Sequence, residues 1–437
     1  MLGVKKPLHL LKMGGVAMLA TFGLQFPVSA SEMSRDVPLE IEKVAYEAPW
    51  KRYPKWAKKR STDWKDYSNL RYQVASPVSF LQKVDKTVEA DPEVILNDPE
   101  RSIAGNPKRG KELVADRSRG GSCFACHILP GSDLPGNVGI NISNIGIWGR
   151  TDEYLFNYIY DPRIYNPTSV MPPWGAHGIF TKAEIRDIVA YLKILSKPVK
   201  FKDGDLNNPD RRPVPVEDRD NLDEFTNPAV LVIETAEELY AKKGATGKAC
   251  VDCHAKPETE FAIWSTNMPK VSTRLNKVLG VEEFVTRHAR ATTGEDYLMQ
   301  SDENTALSVY LRYLANGHPI AIDKRDHNTQ LAIKRGEDLM HLPVGQLNFA
   351  CVDCHEISKN KWIRGQYLGG VVGMMDHFPT YRTSRAEIWD IRKRLQWCNL
   401  SVRANELPPD APEYGDIEIY LMSKNNGRTL SIPGIRH

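Results

Sequence analysis

Six of the seven cysteines in this chain fall into three copies of Cys-x-x-Cys-His, at Cys123/Cys126/His127, Cys250/Cys253/His254 and Cys351/Cys354/His355. Two thiols at this spacing lie about one helical turn apart. Both can therefore bond to the vinyl groups of one porphyrin, while the adjoining imidazole becomes the proximal ligand of its iron. The pattern predicts three covalently bound heme c groups with His127, His254 and His355 as axial ligands. Thioredoxin-like and zinc sites also use Cys-x-x-Cys, but they do not repeat it three times with the histidine attached. Cys398 is left without a partner, and its chemistry is the question that the motifs do not answer.

The elements that carry these motifs can be bounded from length and composition. Lys5, Lys6 and Lys12 precede an apolar stretch from Met13 to Leu24 and the small-residue site Val28-Ser29-Ala30, the pattern of a signal peptide over residues 1–30 cleaved near Ala30. The apolar stretch is shorter than the roughly 20 residues that cross a bilayer, so the expectation is a soluble, periplasmic protein with no stable membrane insertion. The same three lysines account for the formal net charge of +3, which comes from 58 basic and 55 acidic side chains. Without them the chain is neutral, and net charge gives no basis for binding nucleic acid.

About 407 residues remain, too many for one core and enough for three cytochrome-sized units. The expected fold is all-α, with three cytochrome c-type heme domains in tandem at 101–200, 229–322 and 323–437. An extension of unassigned role (31–100) precedes them, carrying Trp50, Trp56 and Trp64 and a basic-aromatic run from Trp50 to Arg60. A polar, proline-broken stretch at 201–228 reads as a linker. The first domain should close with a helix opened by a capping box from Thr181 to Glu184, with Ile185, Ile188, Val189, Leu192 and Leu195 on its apolar face.

The second and third domains are related to each other. Ala249-Cys-Val-Asp-Cys-His254 recurs as Ala350-Cys-Val-Asp-Cys-His355. A constant offset of 110 then pairs Met268-Pro269 with Phe378-Pro379, Val309-Tyr310-Leu311 with Ile419-Tyr420-Leu421, Asn316-Gly317 with Asn426-Gly427, and His288 with Cys398. A metal-ligating residue type at both members makes His288 and Cys398 the leading distal ligands of their domains. Met268 and Met299 compete with His288, and His377, Met374 and Met375 compete with Cys398. In the first domain Met171, within Val170-Met-Pro-Pro-Trp-Gly175, could reach the iron from a loop and raise its potential, with His177 as the alternative.

Around Cys398 the balance turns basic: Arg382, Arg385, Arg392, Lys393, Arg394 and Arg403 face only Glu387 and Asp390. If residues 387–398 are helical, Arg394 lies four residues before Cys398 on the same face and offers a planar fork of donors to an oxyanion beside the sulfur. The bland alternative is a solvated basic face beside a buried thiol. An unpaired cysteine in an exported chain weighs against it.

These residues resemble the SoxAX cytochromes of the bacterial sulfur-oxidation (Sox) system over roughly residues 100–437. Gln396-Trp-Cys398-Asn-Leu-Ser-Val-Arg403-Ala, with Phe378-Pro-Thr-Tyr381-Arg382 before it and Glu418-Ile-Tyr420-Leu and Pro433-Gly-Ile-Arg436 after it, is similar to the C-terminal heme domain of SoxA. Gly136-Asn-Val-Gly139, Met171-Pro-Pro173 and Ile188-Val-Ala-Tyr191-Leu are similar to SoxX. The resemblance implies the activity of L-cysteine S-thiosulfotransferase, in which thiosulfate is joined oxidatively to a cysteine of the SoxYZ carrier protein with release of two electrons. It further implies that Cys398 is the axial ligand of the active-site heme and can bear an extra sulfur. It implies that Arg394 binds substrate, with Arg403 as a second basic neighbour, and that the heme at His127/Met171 passes electrons to a soluble cytochrome c.

Two departures from the family stand out. SoxX and SoxA are usually separate subunits, whereas here they would be fused, and His288 stands where diheme SoxA members carry cysteine, which makes a bis-histidine middle heme the expectation. Two other functions stay open: a thiosulfate dehydrogenase forming tetrathionate, which needs no carrier, and a purely electron-transferring multiheme cytochrome.

Overall fold

The first unit begins with α1 (Pro107–Ala115), where Asn106 accepts hydrogen bonds from the Lys108 and Arg109 amides and Pro107 takes the first helical position. The Cys123–Ala125 turn follows, then α2 (Asp152–Tyr160) and α3 (Lys182–Lys193). The capping box expected for α3 is formed: the Glu184 amide donates to Thr181 Oγ1 at 3.3 Å and the Thr181 amide to Glu184 Oε2 at 2.9 Å. Ile185, Ile188, Val189, Leu192 and Leu195 are buried as expected. The chain is seen here as a computed structural model that describes residues 104–118, 121–200, 219–404 and 406–437. The signal peptide, the extension and most of the linker expected from the sequence lie outside these residues.

The second unit contains α4 (Val232–Ala241), the Cys250–Cys253 turn, α5 (Pro257–Thr266), a hairpin of β1 (Lys270–Ser272) and β2 (Lys277–Leu279), α6 (Val281–Thr292) and α7 (Asp302–Tyr313). The third contains α8 (His327–His341), a hairpin of β3 (Trp362–Ile363) and β4 (Gln366–Tyr367), another of β5 (Thr380–Arg382) and β6 (Glu387–Trp389), α9 (Ile391–Ser401), α10 (Pro412–Lys424) and β7 (Gly434–Arg436). In each unit a helix ahead of the heme motif packs on the unit's last helix: α1 on α3, α4 on α7, α8 on α10. The first and third crossings use glycine. A β-carbon on Gly110 would collide with the Asp187 carbonyl, and one on Gly336 with the Asp416 carbonyl, so glycine is what lets these backbones meet.

The fold is helix-rich, and the expectation of an all-α chain needs amendment. Three short sheets are present, and β5 pairs antiparallel with β6 and parallel with β7. Strands of two or three residues are too short to leave a period in the sequence. They still matter, because the β1–β2 and β5–β6 hairpins lead directly into α6 and α9. The offset of 110 holds for these elements: Lys270 to Thr380, Lys277 to Glu387, Val281 to Ile391 and Asp302 to Pro412 are the paired starts. His288 and Cys398 therefore each stand seven positions after the first residue of equivalent helices.

Between the second and third units lies a buried ion network. Arg392 donates to Glu283 Oε2 and Glu418 Oε2, both at 2.9 Å, and Lys277 donates to Glu283 Oε1 at 2.6 Å. Burial would push Glu283 up, but Lys277, Arg287 and Arg392 outweigh it and hold the carboxyl near 2. Because Glu283 is on α6 and Arg392 on α9, the network ties together the two helices that carry His288 and Cys398.

The first unit docks on the third through main-chain bonds. The Arg364 amide donates to the Ala125 carbonyl at 3.1 Å and the Asn137 amide to the Trp362 carbonyl at 3.0 Å, while the Trp362 amide donates to Asn137 Oδ1 at 2.7 Å. The β3–β4 hairpin thus grips the first heme-attachment turn. No helix among the described residues is long and apolar enough to cross a membrane.

Candidate heme sites and the cavity at Cys398

All three motif histidines have Nδ1 committed as a donor. His127 donates to the Ile140 carbonyl at 2.7 Å, His254 to Glu260 Oε2 at 2.8 Å and His355 to the Gly369 carbonyl at 2.8 Å. In a neutral imidazole this leaves the lone pair on Nε2, the arrangement of a metal-ligating histidine whose other nitrogen is held by an outer partner. Burial favours the neutral form of His127 and His355 by pushing both below the usual histidine range. Gly139 lies against the His127 ring so closely that a β-carbon there would collide with it.

The thiols fit the same group. Burial pushes Cys123, Cys351 and Cys354 up to about 12 and Cys126 up to about 11. Walls this apolar disfavour the thiolates that a zinc site needs and suit the thioethers of heme c. None of the seven cysteines forms a disulfide.

In the second unit His288 faces His254 with ring centroids 6.0 Å apart. Two imidazoles on opposite sides of one metal, each nitrogen about 2 Å from it, would have nearly this separation. Phe284 stacks on His288 at 5.2 Å and Phe261 lies 5.1 Å from His254. Burial, followed by the neighbouring His254, pushes His288 down to about 4, so the His288 ring is a neutral donor near pH 7. The competing Met268 is 1% exposed and packed in the unit's core beside Trp264 and Tyr310, and Met299 is equally buried.

In the first unit Met171 is half-buried at the rim of the core that also receives Cys123. His177, its alternative, is buried at the seam between units, where its Nδ1 donates to the Gln346 carbonyl at 2.9 Å.

The third unit holds a cavity of about 390 Å³ whose walls include Cys351, Cys354, His355 and Cys398. Arg394 lines it too, one turn before Cys398 on α9, as the helical spacing required. Arg382 and Arg436 complete a cationic wall, the first from β5 and the second from β7. Burial, then the field of Arg394, depresses Arg382 to about 9. A guanidinium keeps its proton at neutral pH, so the shift marks a charge held mainly out of water and secondarily beside another cation, both of which a bound anion would offset. Arg219, at the end of the linker region, also reaches the cavity, and its carbonyl accepts from the Ile435 amide at 2.7 Å and Arg436 Nη1 at 2.6 Å. Of the alternative ligands, Met374 and His377 border the cavity, whereas Met375 is 2% exposed in the core.

Four members of the basic cluster read from the sequence belong elsewhere: Lys393 donates to Glu387 Oε2 at 2.8 Å and Arg385 lies over the Trp397 ring, and Arg392 and Arg403 also lie off the cavity wall. Arg392 is fully buried in the ion network and faces away from Cys398. Arg403 is 7% exposed, does not line the cavity, and takes a left-handed backbone at φ 61° where its carbonyl accepts from the Gln346 amide. Arg219 was missed altogether, and no local signal could have found it: it meets Arg436 across more than two hundred residues of chain.

Residues 235–320 match the family described as SoxA/TsdA, cytochrome c domain, and residues 105–192 match cytochrome c oxidase, cbb3-type, subunit III. The chain is similar to the L-cysteine S-thiosulfotransferase subunit SoxA of Pseudaminobacter salicylatoxidans, with 28% identity over 216 residues, covering 49% of this chain and 75% of the relative. It is also similar to the SoxA subunit of Allochromatium vinosum, 28% identical over 227 residues, covering 51% of this chain and 79% of the relative. Among solved structures it is similar to SoxXA from P. pantotrophus, at 25% identity and a TM-score of 0.47, over 51% of this chain and 83% of that one.

Proposed function

We propose that this chain, related to SoxA through about half its length and carrying two cytochrome c family domains, is a periplasmic triheme cytochrome. In this reading it joins thiosulfate oxidatively to the cysteine of a SoxYZ-type carrier protein and passes the electrons to a soluble cytochrome c. The observation that carries the reading is the convergence of Cys398, the third Cys-x-x-Cys-His motif and five arginines (Arg219, Arg364, Arg382, Arg394 and Arg436) on one cavity. His127 with Met171, His254 with His288, and His355 with Cys398 would hold the three hemes. A heme c bound beside Cys398 would supply a one-electron acceptor next to the sulfur.

Arg394, with Arg382 and Arg436, holds the sulfonate oxygens of thiosulfate in planar forks and turns its outer sulfur toward Cys398. The hairpin that joins the first heme-attachment turn to the third unit supports a fused SoxX–SoxA arrangement, since it brings the two attachment sites together within one chain.

With thiosulfate and a carrier bearing an accessible cysteine, the hemes are expected to become reduced and the carrier to gain the mass of the joined thiosulfate group. Without carrier, reduction should stay at background. Rapid carrier-free conversion of thiosulfate to tetrathionate would favour the dehydrogenase reading and sink this one.

For the middle heme, His288→Met is expected to raise the potential of one heme, because thioether replaces imidazole, and to leave the other two spectra unchanged. Redox titration followed by optical spectroscopy checks this. If His288→Ala alters no heme spectrum, His288 is not a ligand and Met268 or Met299 takes the role.

A further inference from the structure

Among the polar groups that line the cavity beyond the cationic wall, His377 is one that binding and ligation leave unused. His377 is 6% exposed and borders the cavity. Its Nδ1 donates to Asp376 Oδ1 at 2.9 Å, and Asp376 Oδ2 in turn accepts from Arg428 Nε at 2.6 Å. The pair is clamped by the main chain: the Gly434 amide donates to the His377 carbonyl at 3.1 Å and the Ser431 amide to the Asp376 carbonyl at 2.9 Å. A base oriented by a carboxylate that is itself anchored, in the wall of the cavity that Cys398 also lines, is the arrangement of an activating dyad.

The joining reaction needs such a base. Carrier thiol R–SH and the thiosulfate dianion give the monoanion R–S–S–SO₃⁻, one proton and two electrons. The S–H bond breaks and an S–S bond forms to the outer sulfur of thiosulfate. The electrons leave to the c-type hemes and then to a soluble cytochrome c, but the proton needs an acceptor. An ordinary thiol, with a pKa near 8.5, is mostly protonated at neutral pH.

We infer that His377, held by Asp376, is the base that takes the proton of the carrier thiol as the new S–S bond forms; this rests on the thiosulfate-joining reading above. With Nδ1 given to Asp376, the lone pair of the neutral ring is on Nε2. Burial pushes His377 below the usual histidine range, offset in part by Asp376, while Arg436 lowers it further and Asp220 raises it. The ring is thus neutral and able to accept near pH 7. Burial also raises Asp376, but the bonds from His377 and Arg428 outweigh it and keep the carboxylate ionised.

His377→Gln keeps the size and a donor but cannot take a proton. With thiosulfate and carrier it is expected to turn over about 100-fold more slowly at pH 7, the lower end of general-base effects. The deficit should shrink toward pH 9 as the carrier thiol ionises by itself, and the three heme spectra should be those of wild type. Asp376→Asn should lose rate in the same direction and shift the acid limb of the pH profile. Independently of turnover, diethyl pyrocarbonate, which attacks neutral imidazole, should modify His377 about as fast at pH 6 as at pH 7.5, read by peptide mass spectrometry. A loss equal at every pH would make His377 a packing residue, full activity would place the base elsewhere, and an altered third-heme spectrum would make it an iron ligand. Each of these overturns the inference while wild-type joining still stands. A wild-type protein that joins nothing would overturn the underlying reading instead.

Discussion

Cys398→Met is expected to give a folded protein that keeps three hemes by intact mass but has lost the joining of thiosulfate to a carrier thiol, by on the order of 10³-fold or more, as when a covalent nucleophile is removed. The expectation follows from position. Cys398 is half-buried on α9, in the wall shared with Cys351, Cys354 and His355, with Arg394 one turn away. Methionine can still offer a thioether to the iron, so heme retention and loss of sulfur chemistry are separable. Heme reduction by dithionite should survive in the variant. Joining activity in Cys398→Met at near the wild-type rate would exclude a sulfur-accepting role for this residue. Loss of the third heme together with activity would show that Cys398 is needed to retain the cofactor.

Arg392→Met is expected to destabilise the joined second and third units by about 3–5 kcal/mol, the range for breaking a buried ion pair from one side. Arg392 is 0% exposed, and its removal leaves Glu283 and Glu418, at 1% and 0% exposed, with fewer cations than their burial requires. Burial works against the Arg392 charge, but Glu418 and Glu283 outweigh it, so its affinity for the proton is raised well above the usual guanidinium range. Arg335→Met serves as the comparison. Its bond to Asp416, at 2.7 Å, is made by a half-exposed side chain, and its loss should cost about 1 kcal/mol or less. Denaturant titrations followed by far-UV circular dichroism and heme absorbance would measure both. If the two variants unfold at the same midpoint, the network does not hold the units together. The optical signature of the middle and third hemes is the sharper readout, because the network joins the helices carrying His288 and Cys398.

Much of the chemistry was legible in the sequence because it is local. A heme-attachment motif is five consecutive residues, a capping box is four, and Arg394 and Cys398 are one helical turn apart. Each can be read without knowing where the rest of the chain goes. The offset of 110 is equally legible, and it pairs His288 with Cys398 on equivalent helices because a repeated unit repeats its geometry. The polarity of the surroundings was not legible in this way. The basic cluster around Cys398 was counted by proximity in sequence, yet on a single helix Arg392 turns into the ion network while Arg394 turns into the cavity, since residues two apart point to different faces.

By itself, then, the sequence determined the number and place of the Cys-x-x-Cys-His motifs, the kinship of the last two units, the capped helix that closes the first unit and the odd cysteine. The tertiary structure alone decided which cations surround that cysteine, keeping Arg382 and Arg394 of the basic cluster and adding Arg436 from β7 and Arg219 from the end of the linker region. It alone also set Asp376 between His377 and Arg428, and joined the first unit to the third through a two-residue-strand hairpin. The physical reason is one of range. Covalent attachment and helix capping are settled within a turn or two of backbone, whereas the field at a half-buried sulfur is a sum over side chains that only packing brings within a few ångströms.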